Sequence, residues 1–142
     1  MSVPAAEFLL LSYRADLQVL VGRWMRVVTL AEMQQGYELL LQAAVEHRCR
    51  QWLLDTRRRN NTDEEGAHWM TQEFLPRLQG QLGGTTALAY LLPPVHLRNA
   101  AADAAFPPAS YFKDKPFISD RFIDERLAIE WLQLQQSLAP AS

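Results

Sequence analysis

The chain has one cysteine, no long apolar run and no marked excess of charge of either sign. Cys49 is the only cysteine among 142 residues, which excludes an intrachain disulfide and a thiolate metal cluster and indicates a reducing compartment. No apolar run approaches the ~20 residues that a membrane span needs. The formal net charge of -2 provides no global field that attracts polyanions. We therefore expect no membrane span and no nucleic-acid partner.

Sequence motifs for catalysis and nucleotide binding are also missing. No GxSxG, GxxxxGK or GxGxxG occurs, and Gly83-Gly84 is typical of a helix end. No HxH or HxxxH spacing places two imidazoles on one metal ion. The three histidines are His47, His68 and His96. These absences predict no cofactor and no metal site, and they weigh against an enzyme.

The composition is that of an ordinary globular domain. Hydrophobic residues make up 49% and charged residues 21% of the chain, and its length fits one domain. We predict a single domain over residues 1–142, with an ordered core from about 7 to 138. The N-terminus MSVPAAEFLLLSYRAD lacks the basic region that opens a secretion signal. We therefore expect a cytoplasmic protein.

Apolar periodicity predicts alternating strands and helices. The runs 8–13 and 17–24 are typical of a hairpin. The runs 51–55 and 85–92 are typical of buried strands, and 117–123 alternates as an edge strand does. An initial hairpin followed by right-handed parallel crossovers gives a mixed sheet of about five strands with about four helices, an α/β fold.

Capping residues mark the starts of three helices. Thr29 with Glu32 and Thr62 with Glu65 form capping boxes, and Asp124 is typical of an N-cap. The alanine-rich segment 95–106 has high helix propensity and predicts a fourth helix. Pro76 should bend or divide the second helix, because proline has no N–H to donate.

Helical spacing predicts which side chains of three helices are buried. For the first helix they are Leu30, Met33, Tyr37, Leu40, Leu41 and Ala44. For the second helix they are Ala67, Met70, Phe74, Leu78 and Leu82. For the last helix they are Leu127, Trp131, Leu134 and Leu138.

Three local patterns, together with the element order, give the chain a family resemblance. They are LLDTRRRNNTDEEGAHWM at 53–70, FLPRL at 74–78 and FIDERLAIEWL at 122–132. The chain resembles the SpoIIAA-like branch of the STAS superfamily, small bacterial α/β domains named after an anti-sigma-factor antagonist and sulfate transporters. The resemblance implies a regulatory or binding module without catalytic machinery.

The resemblance also bears on phosphorylation. In the phosphoregulated members of the superfamily, a partner kinase phosphorylates a Ser or Thr where the helix after the third strand begins. The closest positional match here is Thr62, which makes it the candidate phosphoacceptor. The family's Asp-Ser-Ser-Gly run is replaced by RRRNNTDEEG.

Three consecutive arginines follow the strand 51–55, and they have two interpretations. One is a solvated loop. The other is an anion site, because ligands collect beyond the carboxyl ends of parallel strands and a helix N-terminus attracts anions. The acidic residues 63–65 would repel such an anion. The arginines are Arg57, Arg58 and Arg59.

Asp55 and the aromatic side chains complete the candidate sites. Asp55 is either a general base or the partner of Arg57 or a loop amide. Exposed aromatic residues often mark an interface, and the candidates are Trp69, Tyr111, Phe112 and Phe117. We predict a non-enzymatic module that contacts a regulatory protein partner, a second copy of itself, or a small apolar or anionic ligand. The alternative is a small enzyme whose Asp55 and His68 converge in a cleft at the strand ends.

Overall fold

The strands of the sheet lie side by side in the order in which they occur along the chain. The computed structural model describes residues 3–58, 64–92 and 117–138. The strands are β1 (Val3–Ala6), β2 (Leu9–Arg14), β3 (Val19–Trp24), β4 (Gln51–Asp55), β5 (Thr86–Leu91) and β6 (Phe117–Phe122). The pairs β1–β2 and β2–β3 are antiparallel, and β3 to β6 are parallel. The predicted mixed α/β sheet is confirmed, with β1 as an additional strand.

The described helices are α1 (Leu30–His47), α2 (Glu64–Trp69), α3 (Leu78–Leu82) and α4 (Glu125–Leu138). Between α2 and α3 the chain passes through a π-helical turn, Met70–Phe74, and a 3-10 turn, Leu75–Arg77. Pro76 lies in the 3-10 turn, where its missing N–H interrupts the α-helical hydrogen bonding. The predicted division of this helix is confirmed. The alanine-rich segment 95–106 and the cap at Thr62 lie outside the described residues.

The first capping box forms as predicted. Thr29 Oγ1 accepts a hydrogen bond from the Glu32 amide at 3.1 Å, and the Thr29 amide donates to Glu32 Oε1 at 3.0 Å. Hydrogen bonds from Arg26, and then from the Thr29 amide, lower the pKa of Glu32 from 4.5 to about 2. The helix ends where Arg48 takes a left-handed conformation with φ 53°.

The larger core lies between one face of the sheet and the helices α1, α2 and α3. Gly36 lets α1 approach the sheet closely, because a Cβ there would lie 2.3 Å from Trp24 Cη2. The predicted inner faces of these helices are largely confirmed. The buried side chains of this core include Trp24, Trp52, Leu54 and Leu88 from the strands and Met33, Tyr37, Leu40, Leu41, Ala44, Met70, Phe74 and Leu78 from the helices.

The opposite face of the sheet is covered by α4, with Ala128 and Leu132 buried against the strands. The predicted buried stripe of α4 is wrong for Leu127 and Leu134, which are 46% and 54% exposed. Trp131 is half-buried, and the side chain of Leu138 lies outside the described set. Among the described helices, none has the length and apolarity that a membrane span requires.

Polar contacts explain how α4 is rotated on the sheet. Gln133 Nε2 donates to the Leu17 carbonyl at 2.8 Å, and Gln136 Nε2 donates to Gln18 Oε1 at 2.8 Å. Both bonds hold the same flank of α4 at the turn between β2 and β3. The other flank, with Leu127 and Leu134, is thereby turned towards β6.

Candidate functional site

A cluster of charged side chains lies at the carboxyl ends of β3 and β4. Arg23 and Asp55 are register partners on these adjacent strands. Arg23 Nη1 donates to Asp55 Oδ2 at 3.0 Å and to Glu125 Oε1 at 2.7 Å, and Arg23 Nη2 reaches Glu125 Oε2 at 3.3 Å. Because Glu125 is the first residue of α4, Arg23 joins two strands and a helix.

Both carboxylate oxygens of Asp55 are engaged. Oδ1 accepts from the Arg57 amide at 3.2 Å and from Arg57 Nε at 3.0 Å, while Oδ2 accepts from Arg57 Nη2 at 2.9 Å. Together with the bond from Arg23, four donors surround this nearly buried side chain. The interpretation of Asp55 as the partner of Arg57 and of a loop amide therefore matches the observed contacts.

The charge of the cluster determines the protonation of Asp55. Burial raises the pKa of Asp55, but hydrogen bonds from the Arg57 side chain, the Arg57 amide and Arg23 outweigh it, so the pKa lies below its usual 3.8. Two guanidinium groups balance two carboxylates, the second being Glu125. Asp55 is therefore ionised at neutral pH, and its lone pairs are occupied by arginine.

His68 is not part of this cluster. It lies exposed in the last turn of α2, and its backbone carbonyl accepts a hydrogen bond from Thr71 Oγ1 at 3.2 Å. Within residues 3–58 and 64–92, no hydrogen bond or ion pair joins the side chains of His68 and Asp55. The described geometry does not assemble the acid–base pair that the alternative enzyme hypothesis requires.

The predicted arginines fall into two groups. Arg57 and Arg58 are exposed after the end of β4, and Arg57 also pairs with Asp55. Arg59 lies outside the described residues, as do Thr62, Tyr111 and Phe112. The anion site and the aromatic loop therefore remain predictions for those positions. The predicted exposure of Phe117 is wrong, because this side chain is buried at the start of β6.

Trp69 is half-buried at the end of α2. Its ring lies 5.3 Å from the Phe74 ring and 6.1 Å from the Tyr37 ring, measured between centroids. Most of its apolar surface thus contributes to the core, and its remaining surface faces outward. Only part of the ring is therefore available for the predicted interface.

An exposed apolar pair that sequence patterns did not reveal follows β3. Met25 is partly exposed and Val27 is 54% exposed. Between them, Arg26 holds the loop in place by ion pairs to Glu7 and Glu32 and by a hydrogen bond from Nη1 to the Val27 carbonyl at 2.9 Å. The two apolar side chains are therefore presented to solvent by an anchored loop.

Two other reactive side chains of the described residues, Cys49 and His47, lie near the opposite end of the strands. The Cys49 thiol is buried and donates to the Gln51 carbonyl at 3.2 Å, and burial raises its pKa. His47 stacks on Tyr13 with ring centroids 4.1 Å apart. No group of three or more His, Cys, Asp or Glu side chains suited to a metal ion occurs in the described part of the chain.

Comparison of the chain with protein-family models, with curated proteins and with solved structures finds no match. The function is therefore inferred from the side chains at the carboxyl ends of β3 and β4. They comprise the neutralised cluster around Asp55 and the exposed side chains of Met25, Val27, Arg57 and Arg58.

Proposed function

We propose that this chain is a non-enzymatic binding module, a STAS-like regulatory domain of the bacterial cytoplasm. Its protein partner binds at the carboxyl ends of β3 and β4. The observation that carries the proposal is the exposure of Met25 and Val27 after β3 and of Arg57 and Arg58 after the neighbouring strand β4. We call these four side chains the strand-end surface.

Composition supports protein binding at the strand-end surface. Adjacent strands are about 4.8 Å apart, so residues that follow β3 and β4 fall within one contact area. Methionine and arginine are enriched in protein interfaces. An exposed aliphatic pair beside two cations fits a partner segment that carries apolar and acidic side chains.

The charged cluster supports a binding role over a catalytic one. A general base needs a free lone pair directed at the substrate, whereas Asp55 directs both oxygens at arginine. The cluster instead fixes the backbone from which Arg57 and Arg58 extend. A rigid scaffold with exposed loop residues is the usual arrangement of a recognition surface.

A small anionic ligand is the second candidate, favoured by the exposure of Arg57 and Arg58. Arg57 already shares its guanidinium with Asp55, which leaves Arg58 as the cation with no described carboxylate partner. A single exposed arginine binds an isolated anion weakly. Protein binding, which adds apolar contact area, is therefore the stronger of the two.

Native mass spectrometry of the tagged protein, purified from cells that naturally express it, tests this proposal. The wild type should retain a protein partner, and Val27→Ser combined with Arg58→Ser should lose it. The matched control is Val45→Ser, because Val45 is 42% exposed on α1 and away from the strand-end surface. A retained small molecule would support the second candidate, and a wild type with nothing bound would contradict both.

A further inference from the structure

One flank of α4 carries an apolar stripe that the sheet does not cover. Leu127, Trp131 and Leu134 recur at spacings of four and three residues, the spacing of a coiled-coil seam. Leu127 and Leu134 are 46% and 54% exposed, and Ile123, just before the helix, is 45% exposed. We call these four residues the α4 flank.

The α4 flank borders the last strand of the described sheet. Trp131 contacts Phe122 of β6, with ring centroids 5.7 Å apart, so this half-buried residue in the middle of the stripe is anchored on the sheet. The core side of α4 is already occupied by Ala128 and Leu132. The helix thus presents two apolar faces, of which only one is covered by the described part of the chain.

Charged side chains flank the stripe on its solvent side. Arg126 and Glu130 are one helical turn apart, with Nη1 and Oε1 4.0 Å apart, and both are well exposed. A positive charge therefore precedes a negative charge along the helix. An identical helix that runs antiparallel presents the same charges in reverse order, which places each cation opposite an anion.

We propose that a second copy of this chain docks on the α4 flank, with the two α4 helices antiparallel about a two-fold axis. The two-fold axis passes between the helices at the level of residues 128 and 129, and it pairs three sets of positions at once. It places Ile123 opposite Leu134, Leu127 opposite Trp131, and Arg126 opposite Glu130 of the other copy. Such a self-complementary contact is the isologous interface of a two-fold dimer.

The charge order distinguishes this arrangement from a parallel one. In a parallel two-fold pair each residue faces its own copy, so Arg126 would meet Arg126 and Glu130 would meet Glu130. Like charges in contact weaken association. The antiparallel pair places opposite charges together and buries the apolar side chains against each other. The occupant of the flank is therefore a second copy of the chain.

This dimer does not depend on the proposed partner surface. The α4 flank contains none of the four residues of the strand-end surface, so variants can disrupt either contact separately. Loss of the dimer with the partner retained would affect this inference alone. Loss of partner binding with the dimer retained would affect the proposed function alone.

The mass of the protein in solution, from light scattering coupled to size exclusion at tens of micromolar, is the first test. The wild type should be a dimer, and Leu134→Asp should weaken dimerisation roughly 100-fold or more, because an unpaired charge enters both halves of the interface. Val45→Asp, a charge at a comparably exposed valine, should remain dimeric. Circular dichroism should show an unchanged fold in both variants. A monomeric wild type, or a dimer unaffected by Leu134→Asp, would overturn the inference.

Charge reversal tests the antiparallel pairing. Arg126→Glu and Glu130→Arg should each weaken the homodimer on the order of five-fold, because exposed ion pairs contribute modestly. Mixing the two variants should yield a heterodimer in excess over both homodimers by native mass spectrometry. Variant homodimers as strong as the wild type would overturn the antiparallel pairing, because a parallel pair already holds like charges together in the wild type. A heterodimer present only in the statistical ratio would overturn it as well.

Discussion

Arg23 and Asp55 stand in register on adjacent parallel strands, and their side chains are joined by a hydrogen bond of 3.0 Å. Arg23 also binds Glu125 at the start of α4. Asp55 is nearly buried whereas Glu125 is partly exposed. The two carboxylates that share Arg23 should therefore contribute unequally to stability.

Asp55→Asn should lower the free energy of unfolding by about 2 kcal/mol at pH 7, because buried hydrogen bonds to a charged group are lost. Glu125→Gln is the matched control, since it neutralises the other carboxylate on Arg23. It should cost less than about 1 kcal/mol, as exposed ion pairs do. Urea denaturation measures both values. Equal losses would contradict the assigned role of burial.

The contribution of Asp55 should disappear in acid. Its pKa in the folded protein lies below the usual 3.8, so the stabilisation is present above that value and is lost as the pH falls through the folded pKa. The difference in unfolding free energy between the wild type and Asp55→Asn should stay constant from about pH 7 to 5 and narrow below about pH 4. Denaturation series at several pH values measure it. A difference that widens in acid would contradict the depressed pKa.

Gly36→Ala should destabilise the protein by about 1 to 3 kcal/mol through overpacking. The new Cβ would lie 2.3 Å from Trp24 Cη2, and Trp24 is buried. Gly80→Ala in α3 is the matched control, because apart from the local backbone of its own helix nothing lies within 4 Å of its Cβ position. It should stabilise by about 0.5 to 1 kcal/mol, since alanine favours the helix. Thermal denaturation should show melting temperatures that shift in opposite directions.

Leu132→Ala should lower the free energy of unfolding by about 2 to 5 kcal/mol, because it opens a cavity under α4. Leu134→Ala should change it by about 0.5 kcal/mol or less within one subunit, because the side chain is exposed. The comparison is made at protein concentrations where both variants are monomeric. A larger loss at Leu134 would indicate that the face predicted from the sequence is the buried one.

The succession of strands and helices along the described chain and the start of α1 could be predicted from the sequence, because their signals are local. Thr29 and Glu32 are three residues apart, and the apolar runs of β4 and β5 are uninterrupted. The edge position of β6 also matches its alternating pattern. The strand β1 was missed because its sequence, VPAA, contains a proline and little apolar bulk.

The face of α4 and the charged cluster could not be predicted, because both depend on distant residues. The helix carries two apolar stripes, and the choice between them follows from Gln133 and Gln136 bonding to the β2–β3 turn. Arg23 interrupts an otherwise apolar strand, and this interruption is the one sequence signal that points to the charged cluster. Its partners lie 32 and 102 residues away, beyond the range of local patterns.

Because the strands are arranged in sequence order, each strand made by the ribosome can pair with one already made, at the growing edge of the sheet. The face under α4 is different, because Val21, Leu53 and Ala89 cluster with Ala128 and Leu132, and α4 is the last of the described elements to be synthesised. Exposed apolar surface of this kind is prone to aggregation during folding. A nascent chain halted before α4 is therefore the form that should need a chaperone most.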